Sequence, residues 1–171
     1  MLDAQKREAF ASLSSLFKSR KNEIPPSSLR PPYVVQTSLL ESVCVSCVDT
    51  PCIKACEEEI IVLDEKHIPS LVFTKRGCTF CEECAVSCPS GVLHVNSSKR
   101  IHALFRIDTK TCIAWQNVIC NSCADVCDVK AITFFGMLRP LLDKELCTRC
   151  GFCYGVCPSN AVHYQMDSKG V

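Results

Sequence analysis

Cysteine recurs along this chain in four quartets, at 44/47/52/56, 78/81/84/88, 112/120/123/127 and 147/150/153/157. Their first members stand 34, 34 and 35 residues apart. A fixed interval of this length dictates one small unit repeated, and it has to be read before any local feature. The flanks repeat with the cysteines. Glu57-Glu58-Glu59-Ile60, Pro89-Ser90-Gly91-Val92, Asp128-Val129-Lys130-Ala131 and Pro158-Ser159-Asn160-Ala161 each lead a short polar turn into an apolar segment. Phe73-Thr74-Lys75, Ile107-Asp108-Thr109-Lys110 and Leu142-Asp143-Lys144 precede the later quartets, with Leu40-Glu41-Ser42 as a looser copy before the first. One unit therefore reads as strand, cysteine loop, short helix, strand. His67-Ile68-Pro69 and Leu138-Arg139-Pro140 read as turns between paired strands. One such unit is too small to bury a useful core, but two facing units around bound metal are not.

Spacing decides what the cysteines hold. Quartets two and four are C-x2-C-x2-C-x3-C-P, ending at Pro89 and Pro158. Three thiolates at every third residue wrap one [4Fe–4S] cubane from a single loop, and in two-cluster proteins the fourth reaches the other cluster. The proline that follows has no N–H to leave unpaired as the chain departs. A zinc site uses two separated cysteine pairs and has no need of a third cysteine at this spacing. Quartet one widens the loop with Thr50-Pro51 before Cys52, and quartet three carries a long insert, Ile113 to Ile119, containing Trp115. All sixteen cysteines are used if four clusters are bound. Crossed ligation assigns Cys44, Cys47, Cys52 and Cys88 to a first cluster, and Cys78, Cys81, Cys84 and Cys56 to a second. A third takes Cys112, Cys120, Cys123 and Cys157, and a fourth takes Cys147, Cys150, Cys153 and Cys127. Cys112 is the least secure ligand, since its reach depends on the insert folding back. Adjacent pairing of quartets is preferred because sequential elements usually pack together. A nested arrangement, with quartets two and three inside one and four, stays open.

Cysteine at this density suits either a secreted disulfide scaffold or an intracellular metal protein. The apolar stretch from Ala9 to Phe17 is broken by Ser12, Ser14 and Ser15, with no cleavage site after it, and Lys6-Arg7 is followed by Glu8 rather than an export-signal core. No run approaches the roughly 18 apolar residues of a membrane span. The expectation is a soluble protein of the reducing cytoplasm. Formal net charge is +1, but each cluster with its thiolates contributes about −2, which takes the loaded chain to roughly −7. Residues 1–32 hold six Lys/Arg against three acids, and the remainder sums to −2. A basic arm precedes an acidic body.

On these motifs the chain resembles the NapF-type ferredoxins, accessory proteins of periplasmic nitrate reductase systems. The resemblance rests on the basic N-terminal segment, Arg30-Pro31-Pro32-Tyr33, the order of the quartets and above all the long third quartet from Cys112 through Val118-Ile119-Cys120. It implies a cytoplasmic location and contact with the molybdenum-containing catalytic subunit NapA before export, with maturation of that subunit as one role. Quartet one, with Pro51 before Cys52, also looks like the four-cluster subunits of molybdenum oxidoreductases. The alternative function is thus an electron-transfer subunit of another molybdo-oxidoreductase, dehydrogenase or hydrogenase complex.

The expected architecture is α+β, two tandem bacterial 2[4Fe–4S] ferredoxin-like modules behind a basic amphipathic N-terminal helix. The divisions are an arm and proline-rich spacer at 1–32, a first module at 33–105 and a second at 106–171. Ala9, Phe10, Leu13, Leu16 and Phe17 share one face of the arm's helix, which suits docking on the chain's own body or on a partner. His94 and His163, six residues past Cys88 and Cys157, read as strand residues, and Glu57-Glu58-Glu59 as a solvated turn. Basic residues are not interleaved with aromatics as nucleic-acid binding needs. No phosphate loop, flavin fingerprint or nucleophile constellation is visible, so the expectation is an electron carrier without its own substrate site.

Overall fold

The computed structural model describes residues 29–167. The expected arm helix, with its apolar face from Ala9 to Phe17, lies outside them.

Four short helices repeat, and each carries the third cysteine of its quartet. Helix α1, Thr37–Val43, comes before them. The four are α2 Pro51–Lys54 with Cys52, α3 Glu83–Val86 with Cys84, α4 Ser122–Asp125 with Cys123, and α5 Phe152–Gly155 with Cys153. Three residues past each fourth cysteine the backbone turns left-handed, at Glu59, Gly91, Lys130 and Asn160. These turns send the chain back into strands β1 Ile61–Leu63, β4 Ile132–Phe135 and β6 Val162–Met166. After quartet two only a bridge forms, Val34 with Leu93.

Hairpins join the quartets of each half. β1 pairs antiparallel with β2, Pro69–Leu71, and β4 with β5, Arg139–Leu142. β3, Ala103–Ile107, pairs antiparallel with β6, placing Phe105 opposite Tyr164. The second hairpin turns over residues 136–138, with Gly136 and Met137 at positive φ, so only Leu138 of the expected Leu138-Arg139-Pro140 belongs to the turn. A tight hairpin needs left-handed residues at its centre, and glycine supplies one cheaply. Arg139 and Pro140 belong to β5. In the first hairpin, Asp64 closes the turn by accepting N–H bonds from Lys66 and Ile68, and Pro69 starts β2.

Three further expectations change. Leu40-Glu41-Ser42 is helical, within α1, and Leu40 is buried; the extended position before quartet one is Val34. The end of the expected spacer, residues 29–32, is packed into the body. Leu29 is in the core and accepts the Leu71 N–H at 2.7 Å, Pro32 is fully buried, and Arg30 pairs with Asp64 at 2.8 Å. Finally, the division expected at 105/106 falls inside β3, whose whole length is committed to β6.

One apolar core runs through both halves, from Leu29, Ile61 and Leu71 to Ile132 and Val162. At its centre four aromatic rings meet: Tyr164 lies 5.7 Å from Phe73, 5.5 Å from Phe105 and 5.1 Å from Tyr154. Two smaller clusters sit outside it. Leu40, Ile68 and Val92 pack beside Cys44 and Cys88, and Cys112, Ala114 and Ala161 pack beside Cys120 and Cys157.

Candidate metal centre

Each complete quartet builds its loop from left-handed turns. Phe80 and Glu82 alternate with Cys78, Cys81 and Cys84, and Arg149 and Gly151 take the same positions between Cys147, Cys150 and Cys153. Successive N–H groups in such turns point to one side and make a concavity for negative charge. Within it the Phe80 N–H donates to Cys78 Sγ at 3.4 Å. The turn after the fourth cysteine does the same, with Ala131 N–H on Cys127 Sγ at 3.3 Å and Ala161 N–H on Cys157 Sγ at 3.2 Å.

The loops gather the sulfurs in crossed sets. A cavity of about 390 Å³, its mouth included, is lined by Cys44, Cys47, Cys52 and Cys88, with Pro51, Leu63 and Leu93. A second, of about 410 Å³, is lined by Cys56, Cys78, Cys81 and Cys84, with Ile60, Ile61 and Leu71. Cys56 thus sits with quartet two, and Cys88 with quartet one. In the other half Cys157, Cys120 and Cys112 act on Cys123, while Cys150, Cys147, Cys123 and Cys127 act on Cys153.

Cys112 reaches its set because the insert folds back. Its N–H donates to Asp108 O at 3.0 Å, a 3-10 turn follows over Ile113–Gln116, and Asn117 reverses the chain in a left-handed turn. Trp115 pins this loop to β5, donating from Nε1 to Pro140 O at 3.2 Å beneath the Arg139 guanidinium.

Electrostatics suit a cationic guest. Burial, reinforced by neighbouring thiolates, raises Cys52 to about 11 and Cys84 to about 12. Burial likewise raises Cys78 and Cys123 to about 11 and moves Cys153 further up. Thiols that resist ionisation alone become thiolates when a cation binds them. Cys88 and Cys157 go the other way. Burial opposes their ionisation, but backbone N–H groups and the Ser90 and Ser159 hydroxyls outweigh it. All sixteen cysteines are thiols, and none forms a disulfide. Among the described residues no three Cys, His, Asp or Glu side chains converge closely enough for a single metal ion. In the first half each crossed set of four cysteines lines a cavity, the enclosure that a cubane held by four thiolates needs.

Several residues that shape the site carried no sequence signal as site residues. Tyr33 donates from its hydroxyl to Phe80 O at 3.0 Å and so steadies the quartet-two loop. Arg149, inside quartet four, pairs with the buried Asp167 at 2.7 Å. Gly77 and Gly151 flank or interrupt cysteine motifs, the one hint available before the fold is known. His94 is exposed and His163 lies on β6 opposite Arg106. Arg76 bonds Glu57 O at 3.2 Å beside the acidic turn.

Small cysteine loops, crossed sulfur sets and short α+β units define a ferredoxin-type iron–sulfur protein that transfers electrons. A family profile described as a 4Fe-4S binding domain matches residues 140–163. The ferredoxin-type protein NapF of Escherichia coli (strain K12) is 33% identical over 140 residues, 80% of this chain and 84% of the relative. NapF of Haemophilus influenzae is 30% identical over 161 residues, 91% of this chain and 88% of the relative. The ferredoxin-type protein NapG of Haemophilus influenzae is 30% identical over 155 residues, 75% of this chain and 54% of the relative. The chain belongs to the NapF family of ferredoxin-type proteins.

Proposed function

We propose that this chain is a cytoplasmic accessory protein that holds four [4Fe–4S] clusters in two modules. In this reading it serves the molybdenum-containing catalytic subunit of a periplasmic nitrate reductase, a NapA-like protein, before export. The observation that carries the four-cluster reading is the crossed gathering of sulfurs, Cys88 with quartet one and Cys56 with quartet two, matched by Cys157 beside Cys123 and Cys127 beside Cys153. The partner and the location rest on kinship with the NapF proteins.

A bound [4Fe–4S] cluster supplies a one-electron couple. The chain supplies the rest. Cys44, Cys47, Cys52 and Cys88 would hold one cluster, and Cys56, Cys78, Cys81 and Cys84 a second. Cys112, Cys120, Cys123 and Cys157 would hold a third, and Cys127, Cys147, Cys150 and Cys153 a fourth. Ile60, Ile61, Leu71 and Leu93 exclude water around the first two. N–H groups such as those of Phe80, Ala131 and Ala161 favour the anionic sulfur, and donors of this kind, with burial, set the potential.

Anaerobically prepared protein is expected to contain about sixteen iron and sixteen acid-labile sulfide per chain, measured by colorimetric assay. Near-stoichiometric zinc without sulfide after anaerobic reconstitution would overturn the cluster reading. An anaerobic pull-down from cytoplasm should recover the molybdoenzyme. A stable, stoichiometric complex with a dehydrogenase or hydrogenase would replace that partner.

A further inference from the structure

Besides the shared core, the two halves meet at a close backbone contact that glycine makes possible. Segment 73–78 of the first half lies against 150–155 of the second. The Cys78 N–H donates to Cys150 O at 2.7 Å. Gly77 has no Cβ to fill this gap; one added there would stand 2.5 Å from Phe152 N and 2.7 Å from Cys150 O. Gly151, at φ 89°, faces the Phe73 ring, which an added Cβ would meet at 2.5 Å. A Cβ added at Gly155 would likewise stand 2.7 Å from the Lys75 carbonyl carbon. Contacts this short leave no room for any other residue without parting the halves.

The cysteines brought together by this contact belong to quartets two and four, which are not neighbours in sequence order. The same adjacency appears inside each half. Cys52 and Cys84 lie near each other on the packed helices α2 and α3, as do Cys123 and Cys153 on α4 and α5. Quartets one and three also reach two small clusters separate from the main core, Cys44 beside Leu40 and Val92, and Cys112 and Cys120 beside Ala114 and Ala161. Their widened loops reach the surface, with Val48 93% and Ile119 82% exposed.

We propose that Gly77, Gly151 and Gly155 fix the four sites in the spatial order quartet one, two, four, three, with the sites of quartets two and four as a central pair coupled across the Cys78–Cys150 contact. This deepens the four-cluster reading and rests on it. The variant quartets are then the two ends of the line, and the complete C-x2-C-x2-C-x3-C quartets are its middle.

The test uses the full chain, loaded anaerobically and reduced with dithionite, with electron paramagnetic resonance as the readout. Cys150→Ser is expected to alter the spin–spin splitting on the signal of the site built by Cys78, Cys81 and Cys84, and Cys120→Ser to leave it unchanged. Gly77→Ala is expected to keep the iron and sulfide content of the unsubstituted chain and to weaken the part of that splitting that Cys150→Ser alters. Gly155→Ala makes the same test at the other side of the contact if Gly77→Ala does not load. A splitting that responds to Cys120→Ser and not to Cys150→Ser overturns the order. So does a Gly77→Ala or Gly155→Ala chain that loads fully and keeps that part of the splitting unchanged. An unsubstituted chain that cannot be loaded with all four clusters fails at the earlier step and overturns the cluster reading itself.

Discussion

Tyr33 shows how much of the site lies in single residues that a motif does not contain. It stands at φ 70°, a region that bulky residues avoid, and its side chain is 1% exposed. Two backbone bonds hold it there, to Ser98 O and from the His94 N–H, and its hydroxyl donates to Phe80 O. Tyr33→Phe keeps the ring and leaves that carbonyl unpaired, so it is expected to cost about 1–2 kcal/mol of stability. Urea unfolding of loaded protein measures it. Burial first, then the charges of Glu82 and the neighbouring thiolates, pushes Tyr33 up to about 12. An unfolded tyrosine ionises near pH 10, so the folded chain keeps a proton that the unfolded one has lost. The contribution is whole below about pH 10 and fades as pH rises towards about 12. Tyr33→Phe should remove that part of the alkaline decline. The crossed grouping of the cysteines was legible because spacing alone marks cysteines that share one loop. Tyr33, Arg149 and the three junction glycines were not, because their partners lie far away in the sequence.

Among elements, the repeat read from cysteine intervals and flanks matches the folded unit in its loop, its short helix and the turn after the fourth cysteine. The turn is the instructive part. Gly91 and Asn160 tolerate a left-handed backbone, but Glu59 and Lys130 adopt it at a cost of about 1–2 kcal/mol each. The position is therefore dictated by the need to return the chain to a strand, and local preference yields to it. Local pattern failed where it had no such constraint. Leu40-Glu41-Ser42 looks like the segments before the other quartets, yet it forms part of α1, where Leu40 finds burial beside Ile68 and Val92. Crossing of the sulfur sets also belongs to this scale, because each short helix carries its fourth cysteine towards the neighbouring loop. Cys56→Ser is expected to perturb the spectrum of the cluster held by Cys78, Cys81 and Cys84, and Cys88→Ser that of the cluster held by Cys44, Cys47 and Cys52. Resonance spectra of the two single variants, compared under identical reduction, decide this. A Cys56→Ser effect on quartet four instead would mean nested pairing.

At the scale of the molecule, two features pull against each other: a shared apolar core and an uneven charge. The core was not legible, because Phe73, Phe105 and Tyr164 are widely separated in sequence and meet only through the β3–β6 pairing and the glycine contact. The charge was. Residues 1–32 carry an excess of three positive charges, while a body loaded with four clusters carries a strong negative charge. The structure sharpens where the arm begins, since Leu29, Arg30 and Pro32 are anchored in the body through Leu71 and Asp64. A truncation that removes residues 2–24 leaves that anchor and every cysteine in place. It is therefore expected to retain full iron and sulfide, and to unfold at the same denaturant concentration as the whole chain. If the arm is the element that recognises the molybdoenzyme, the same truncation weakens binding to it, as measured by anaerobic biolayer interferometry. Phe10→Ser with Phe17→Ser should weaken it in the same way, by removing apolar burial. Lys/Arg→Gln changes in the arm should mainly lower the association rate, and mainly at low salt, because steering by exposed charge is screened over roughly 8 Å at physiological ionic strength. Loss of clusters on truncation would make the arm part of the fold. Unchanged affinity would place recognition on the body, where the variant loops around Val48 and Ile119 become the surface to substitute next.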